Sequence, residues 1–219
     1  MIRASIPAGA FAIALAGLPA LGSGVLAQEV SPAASPAAME VVDVVLRDVD
    51  GRDVGVATFT ATPDGAASIG VEVEGLTTGE HGIHVHEAGI CDPAGEKPFT
   101  SAGGHYNPIG AAHGGPSRAV GSVPIGTPED AATPGGSQGH AGDLGNILAD
   151  DNGTGRLQIT VDRFTLAELA DADGSALVIH EGPDDLMTDP AGNSGGRIVC
   201  GVIFPPQGGA TPSAATPTA

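Results

Sequence analysis

Six of the chain's seven histidines fall where they could gather around metal ions. His84 and His86 stand two apart in His81-Gly82-Ile83-His84-Val85-His86-Glu87. On a strand, residues i and i+2 share a face, so two imidazoles can grip one ion. Such a pair alone is weak evidence, because a His in an apolar strand is usually a satisfied core residue. Its weight comes from candidate ligands further along the chain: His105, His113, the run Gly139-His140-Ala141-Gly142-Asp143, and His180. His113, His140 and Asp143 offer two nitrogens and an oxygen, and His105 completes a tetrahedral set suited to zinc. His84, His86 and His180 are an all-imidazole set, which suits copper. A deprotonated His105 could give one nitrogen to each ion. A redox-active ion could then change state while the shared ring takes and gives a proton.

The elements that must position these residues read as strands. Val41–Leu46, Val54–Thr60, Ala67–Val73, Gly82–Glu87, Leu144–Ala149, Arg156–Val161, Ala176–His180 and Ile198–Ile203 are short and rich in β-formers or alternating. Turn signals at Asp50-Gly51, Pro63-Asp64-Gly65 and Asp151-Asn152-Gly153 separate several of them. Only Leu166–Ala170 reads as helix. The expected fold is an all-β, eight-stranded antiparallel barrel or sandwich with a core of Val, Ile, Leu and Ala. Ala88–Gly142 and Glu181–Gly196 are long and irregular, and loops of that length inside a compact domain are usually functional or disordered. The candidate ligand histidines lie in these loops or at the strand ends leading into them, where a rigid β scaffold carries a site.

The ends of the chain read differently. Residues 1–27 have a positive Arg3, an apolar run from Ala10 to Leu21 and Val25-Leu26-Ala27 before a cleavage point. This is a secretory signal pattern; an uncleaved anchor helix is the alternative, disfavoured by Pro7 and Pro19. Residues 28–39 are a Ser/Pro/Ala linker, 40–204 a single domain, and 205–219 a tail expected to be disordered. The expected location is exported: periplasmic, cell-surface or extracellular. Losing residues 1–27 removes one Arg and no acid, taking the formal charge from −18 to −19. So acidic a chain does not bind nucleic acid or an anionic membrane through general charge. No segment after the signal suits stable membrane insertion, and the oligomeric state stays open, a homodimer included.

Cys91 and Cys200 are the only cysteines. In an exported chain a single pair favours one disulfide; a metal-binding or catalytic thiol is the alternative. A bond closing about 109 residues would contribute on the order of 4.7 kcal/mol in the chain-entropy account. It would hold the first long loop against the last strand.

Together these residues resemble the copper,zinc superoxide dismutase family, of the exported bacterial kind. The matching pieces are Gly82–Glu87, Ser101-Ala102-Gly103-Gly104-His105, His113-Gly114-Gly115-Pro116, Gly139–Asn146, Leu177–Glu181 and Gly192–Ile203, spanning about residues 40–204. The resemblance implies a Greek-key barrel. It implies copper held by His84, His86, His105 and His180, and zinc held by His105, His113, His140 and Asp143. Cys91 and Cys200 match the family's intrachain disulfide. Arg197 matches the arginine that attracts and orients the anion, and His105 the ring that moves a proton. Asp184 matches the carboxylate linking a copper His to a zinc His, and His81 a His that supports the loop without binding metal. The implied reaction converts superoxide, a small anion, to dioxygen and hydrogen peroxide.

Two departures stand out. The stretch from Pro116 to Gly139 is longer than is common in the family, and Glu181–Gly196 contains no Lys. The rival function is a copper- or zinc-binding or storage protein of the same fold, which would need neither Arg197 nor the Asp184 brace. A copper chaperone would need a delivery site such as C-x-x-C, which is absent from the sequence.

Overall fold

The computed structural model describes residues 40–94, 97–116 and 139–208. The expected signal peptide (1–27), the linker (28–39), the middle of the long stretch after Pro116 and the end of the tail lie outside the described residues.

Eight antiparallel strands close into a barrel in the order β1-β2-β3-β6-β5-β4-β7-β8. They are β1 Val41–Asp48, β2 Asp53–Ala61, β3 Ala67–Val73, β4 Gly79–His86, β5 Asp143–Ala149, β6 Gly155–Val161, β7 Ser175–His180 and β8 Arg197–Phe204. Alternation decides what points inward. Val44 and Leu46 of β1, Ala57 and Phe59 of β2, and Ile69, Val71 and Val73 of β3 join Ile83 and Val85 of β4 in one buried cluster. Neighbouring registers keep those faces aligned, with Val44 opposite Ala57 and Phe59 opposite Ile69. Gly51 turns the first hairpin with φ 77° and Gly153 the β5–β6 turn with φ 79°, left-handed values that glycine adopts without strain.

The single α-helix among the described residues, α1 (Leu166–Leu169), is one turn long and opens with a reciprocal cap between Thr165 and Glu168. No helix among the described residues is long and apolar enough to cross a membrane.

β4 begins three residues earlier than its apolar pattern suggests. Gly79, Glu80 and His81 offer no hydrophobic alternation, but their backbone pairs with Ala149, Leu148 and Ile147 of β5. After a break in register between Gly82 and His84, the strand turns to pair with β7 through Ile83–His86. The described parts of the two long loops meet this divided strand, at Gly82 through Gly182 and at Val85 through Tyr106 and Gly142.

A second, smaller cluster of Phe99, Ala102, Ala176, Val178 and Cys200 packs with Cys91. The Cys91–Cys200 disulfide, Cα to Cα 5.7 Å, ties that loop to β8. Past Phe204 the chain is still held, as Gln207 N–H donates to Ala172 O at 2.9 Å.

Candidate metal centre

Because Ile83 and Val85 of β4 face the core, His84 and His86 face the other side, beneath the loops, and both are fully buried. The break in β4 is where the loops attach. Val85 N–H donates to Gly142 O, and Gly142 N–H donates to Tyr106 O, each at 2.9 Å. Tyr106 N–H in turn donates to Val85 O at 2.8 Å. This three-way stitch sets His105 beside His86, with which it forms an isolated bridge, and sets the His140–Asp143 turn beside both. Only glycine fits at 142, since any Cβ there would collide with Val85 O. His180 ends β7, opposite Arg197 at the start of β8.

Among the described residues three groups of candidate ligand atoms result; His84, His113 and Asp184 form one, a carboxylate bridge, and the other two match the sets read from the sequence. One is His84, His86, His105 and His180; the other is His105, His113, His140 and Asp143; within each, the atoms lie no more than 4.8 Å apart. All of these residues are buried. His105 belongs to both sets.

The orientation of the rings is more telling than their proximity. His84 Nδ1, His86 Nε2, His105 Nε2, His113 Nδ1 and His180 Nε2 are buried and have no hydrogen-bond partner. Orphaned buried polar atoms are rare and costly, and five in one place need a cause. The opposite nitrogen of each ring is held. His84 Nε2 lies 2.7 Å from Asp184 Oδ2, and His113 Nε2 lies 2.9 Å from Asp184 Oδ1. His105 Nδ1 lies 2.8 Å from Asp143 Oδ1. His86 Nδ1 lies 3.1 Å from Gly103 O, and His180 Nδ1 lies 3.4 Å from Gly195 O. A carbonyl or carboxylate accepts a proton's bond, so the held nitrogens of His84, His86, His113 and His180 carry the hydrogen. The orphaned nitrogens of the neutral rings His84, His86 and His180 present lone pairs, the state in which imidazole binds metal. His113 Nδ1 comes within 3.1 Å of Asp143 Oδ2 without making a hydrogen bond. His140 Nδ1 stands 3.3 Å from both His105 Nδ1 and Asp143 Oδ1. Lone-pair atoms crowded in this way suit a cation between them.

The electrostatics agree for the first set. Burial pushes His84 and His86 down, His105 to about 4 and His180 to about 3, so these rings are neutral near pH 7. Burial also acts to lower His113, but the two carboxylates that flank it, Asp143 and Asp184, outweigh it and raise that ring to about 10, so it alone is charged near pH 7 among these shifted rings. Burial acts against ionisation of those two carboxyls, and their histidine partners overcome it, holding both well below the usual carboxylate range.

Asp184 sits between the two sets, one oxygen on His84 and the other on His113. It is fixed by Asn146, whose amide donates to Asp184 O at 2.9 Å while its carbonyl accepts from Asp184 N at 2.8 Å. Gly192 leaves room, as a side chain there would strike Asp184 Oδ1 and His113 Nε2. Asp189 Oδ1 accepts the backbone N–H of His113 at 2.6 Å. In the sequence Asn146 lies inside a matching motif without a role of its own, and Asp189 is one more acid. Their contacts span 38 and 76 residues, and no local spacing announces them.

His81 belongs to neither set; its Nδ1 lies 2.8 Å from His180 O and its Nε2 2.8 Å from Thr77 O. Arg197 donates from Nη1 to Phe99 O and from Nη2 to Gly103 O, both at 2.7 Å. It therefore binds the loop that leads to His105, and its half-buried guanidinium shares Gly103 O with His86.

A closed eight-stranded antiparallel barrel carrying two metal-ligand sets that share one His defines a class of two-metal β-barrel proteins. Residues 54–203 match the family Copper/zinc superoxide dismutase (SODC). The chain is 38% identical over 163 residues to a Superoxide dismutase [Cu-Zn] of Deinococcus radiodurans, covering 72% of this chain and 81% of that one. It is 39% identical over 164 residues to Superoxide dismutase [Cu-Zn] 2 of Aquifex aeolicus, covering 72% and 83%. Among solved structures it is similar to the Cu/Zn superoxide dismutase from Brucella abortus, with TM-score 0.59 and 30% identity over 75% of this chain and 99% of that one. It is also similar to a SOD-like protein from Bacillus subtilis, with TM-score 0.57 and 31% identity over 76% and 100%. The chain belongs to the copper/zinc superoxide dismutase family.

Proposed function

We infer that the protein disproportionates superoxide: two superoxide anions and two protons become one dioxygen and one hydrogen peroxide. The observation that carries this reading is the group of five orphaned ring nitrogens, each turned inward by a hydrogen bond on its other side. His84, His86, His105 and His180 would hold copper, and His105, His113, His140 and Asp143 would hold zinc. When bound, copper would supply one-electron exchange with superoxide in both directions, and zinc a fixed charge and a brace.

The rest falls to side chains. His105 is the one ring in both sets, so its Nε2 can release a proton and take it up again while Nδ1 stays on the side of His113, His140 and Asp143. Arg197 supplies the positive field at the mouth, and its anchorage to Phe99 O and Gly103 O keeps the guanidinium from following the anion. Asp184 holds His84 and His113 in one tautomer each. Burial keeps His84, His86, His105 and His180 neutral and ready to bind metal.

The second reading is a metal-binding or storage protein of the same fold. The anchored Arg197 beside His86 favours the enzyme, because storage needs no anion guide. The test is superoxide decay after a radiolytic pulse, with metal-loaded protein beside metal-free protein. Decay set by the loaded protein, with one peroxide formed per two superoxides, supports the reading. Full metal loading with no acceleration would turn the assignment to storage.

We also propose export, with residues 40–204 as the mature functional domain. The signal-like pattern of residues 1–27 and the Cys91–Cys200 disulfide support it. N-terminal sequencing of the secreted product tests it; a product beginning at Met1 counts against cleavage.

A further inference from the structure

Among the described residues, Arg47, Arg52 and Arg156 each form exposed pairs with carboxylates: Asp53, Asp48 with Asp50, and Glu72. Arg163 and Arg197 form none within 4.0 Å among the described residues. Acids outnumber basic residues 26 to 8 in this chain, so an arginine without a carboxylate partner calls for a reason. Both guanidiniums are half-buried and both bond backbone carbonyls of segments that carry metal ligands. Arg197 guides the anion and anchors a loop. Arg163 has no such assignment.

Arg163 follows β6, in the link to α1. Its Nη1 donates to the carbonyl of His140 at 3.1 Å. That carbonyl is the pivot of a tight turn. It also accepts from Asp143 N at 3.2 Å, while His140 N–H donates to Asp143 Oδ2 at 2.8 Å. The turn carries two of the four donors of the second ligand set. The neighbouring Phe164 meets Tyr106 edge-on, ring centres 6.2 Å apart, and Tyr106 directly succeeds His105 in the chain. The short link 163–164 thus grips both arms of that set, the His140 turn by a guanidinium and the His105 segment by a ring.

We propose that Arg163 is a positioning residue for zinc: its bond to His140 O holds the His140–Asp143 turn so that His140 Nδ1 and Asp143 Oδ1 face the same point. This rests on the assignment of zinc to the His105, His113, His140 and Asp143 set. A rival role can be separated by sign. The guanidinium lies in the field of the Asp143 carboxylate. If it acted only as a charge, it would repel a bound dication, and removing it would tighten zinc. If it positions the turn, removing it loosens zinc.

The experiment compares wild type, Arg163→Met and Arg163→Lys as full-length, disulfide-intact protein. Zinc and copper affinities are read by chelator competition, and cobalt, loaded in zinc's place, reports ligand geometry by its visible spectrum. Unfolding of the metal-free proteins controls for stability. Changes in groups that orient ligands typically cost 10–100-fold in metal affinity. Arg163→Met is expected to weaken zinc about tenfold, alter the cobalt bands and leave copper affinity unchanged. Arg163→Lys, which keeps a donor within reach of His140 O, should recover part of the loss. Zinc bound as tightly or more tightly by Arg163→Met, or an unaltered cobalt spectrum, overturns the proposal. So does an equal loss of zinc and copper, which marks general destabilisation. If Arg163→Met does not fold, Arg163→Lys and Arg163→Gln carry the same comparison. A wild type that binds no zinc removes the zinc assignment and this proposal together, whereas equal binding by wild type and variant removes Arg163 alone.

Discussion

Replacing Asp184 with Asn separates the two sets in a way their geometry specifies. Asp184 accepts bonds from His84 Nε2 at 2.7 Å and His113 Nε2 at 2.9 Å, and its Oδ1 also accepts Leu186 N–H at 2.7 Å. An Asn has one carbonyl oxygen. The Leu186 and His113 donors both favour that oxygen on the Oδ1 side, which leaves the amide NH2 facing the N–H of His84. Two donors then oppose each other in a buried place. The backbone stays put, because Asn146 holds Asp184 through main-chain atoms that the substitution keeps. A hydrogen bond to a charged group contributes about 1.5–3 kcal/mol net, and about 1.4 kcal/mol is tenfold in an equilibrium constant. Loss of the His84 bond should therefore weaken copper by roughly 10- to 100-fold, the usual range for such partners, and zinc by less. Chelator competition on wild type and Asp184→Asn measures both. Copper affinity equal to wild type, or zinc falling further than copper, would refute the bracing role.

The same geometry sets other expectations. Arg197→Ala should lower kcat/KM about tenfold and Arg197→Glu further, with copper retained; added salt should speed only the Glu variant, where repulsion alone remains. A wild-type rate and salt response in copper-loaded Arg197→Glu would remove its guiding role. Arg197→Lys keeps the charge but not both 2.7 Å bonds to Phe99 O and Gly103 O, so it should recover the salt response more fully than the rate. Cys91→Ser should cost a few kcal/mol of stability, read by denaturant unfolding, and thiol titration of the unreduced, unfolded wild type should find no free cysteine. In metal-free protein, His105 at about 4 and His180 at about 3 lie below their ordinary value of 6.5. The unfolded chain then binds more protons in that window, so their contribution is full above pH 6.5 and is lost as pH falls through 4 and 3. His113, raised to about 10, acts oppositely: its contribution is full below pH 6.5 and is lost as pH rises through 10. Stability of the metal-free protein that stays flat from pH 7 to pH 4 would contradict the buried neutral rings.

The barrel is legible in the sequence because its strands alternate and many of its turns carry Gly beside Asp or Asn. Ala67–Val73 is the clearest case, with Ile69, Val71 and Val73 facing inward as their spacing predicts. The start of β4 is not, since Gly79-Glu80-His81 has no apolar rhythm and is a strand only because β5 supplies its partners. The candidate ligands are legible as a set because histidine is scarce in the chain and each falls in a recognisable motif. What holds them is largely hidden. Asn146, Asp189 and Arg163 act through backbone groups distant in sequence, and such bonds leave no spacing to read. Arg197 reads as a charge at the mouth; its second task, carrying the loop before His105, needs the positions of Phe99 O and Gly103 O.

The central claim is that one ring, His105, joins two metal sites in each chain. Metal analysis of reconstituted wild type beside Asp143→Ala tests it most directly. The account predicts one copper and one zinc per wild-type chain, and loss of zinc with retention of copper in Asp143→Ala, because Asp143 Oδ1 faces only the His105, His113 and His140 side. Wild-type protein that holds copper alone, yet is fully active and as stable as protein offered both metals, would contradict it.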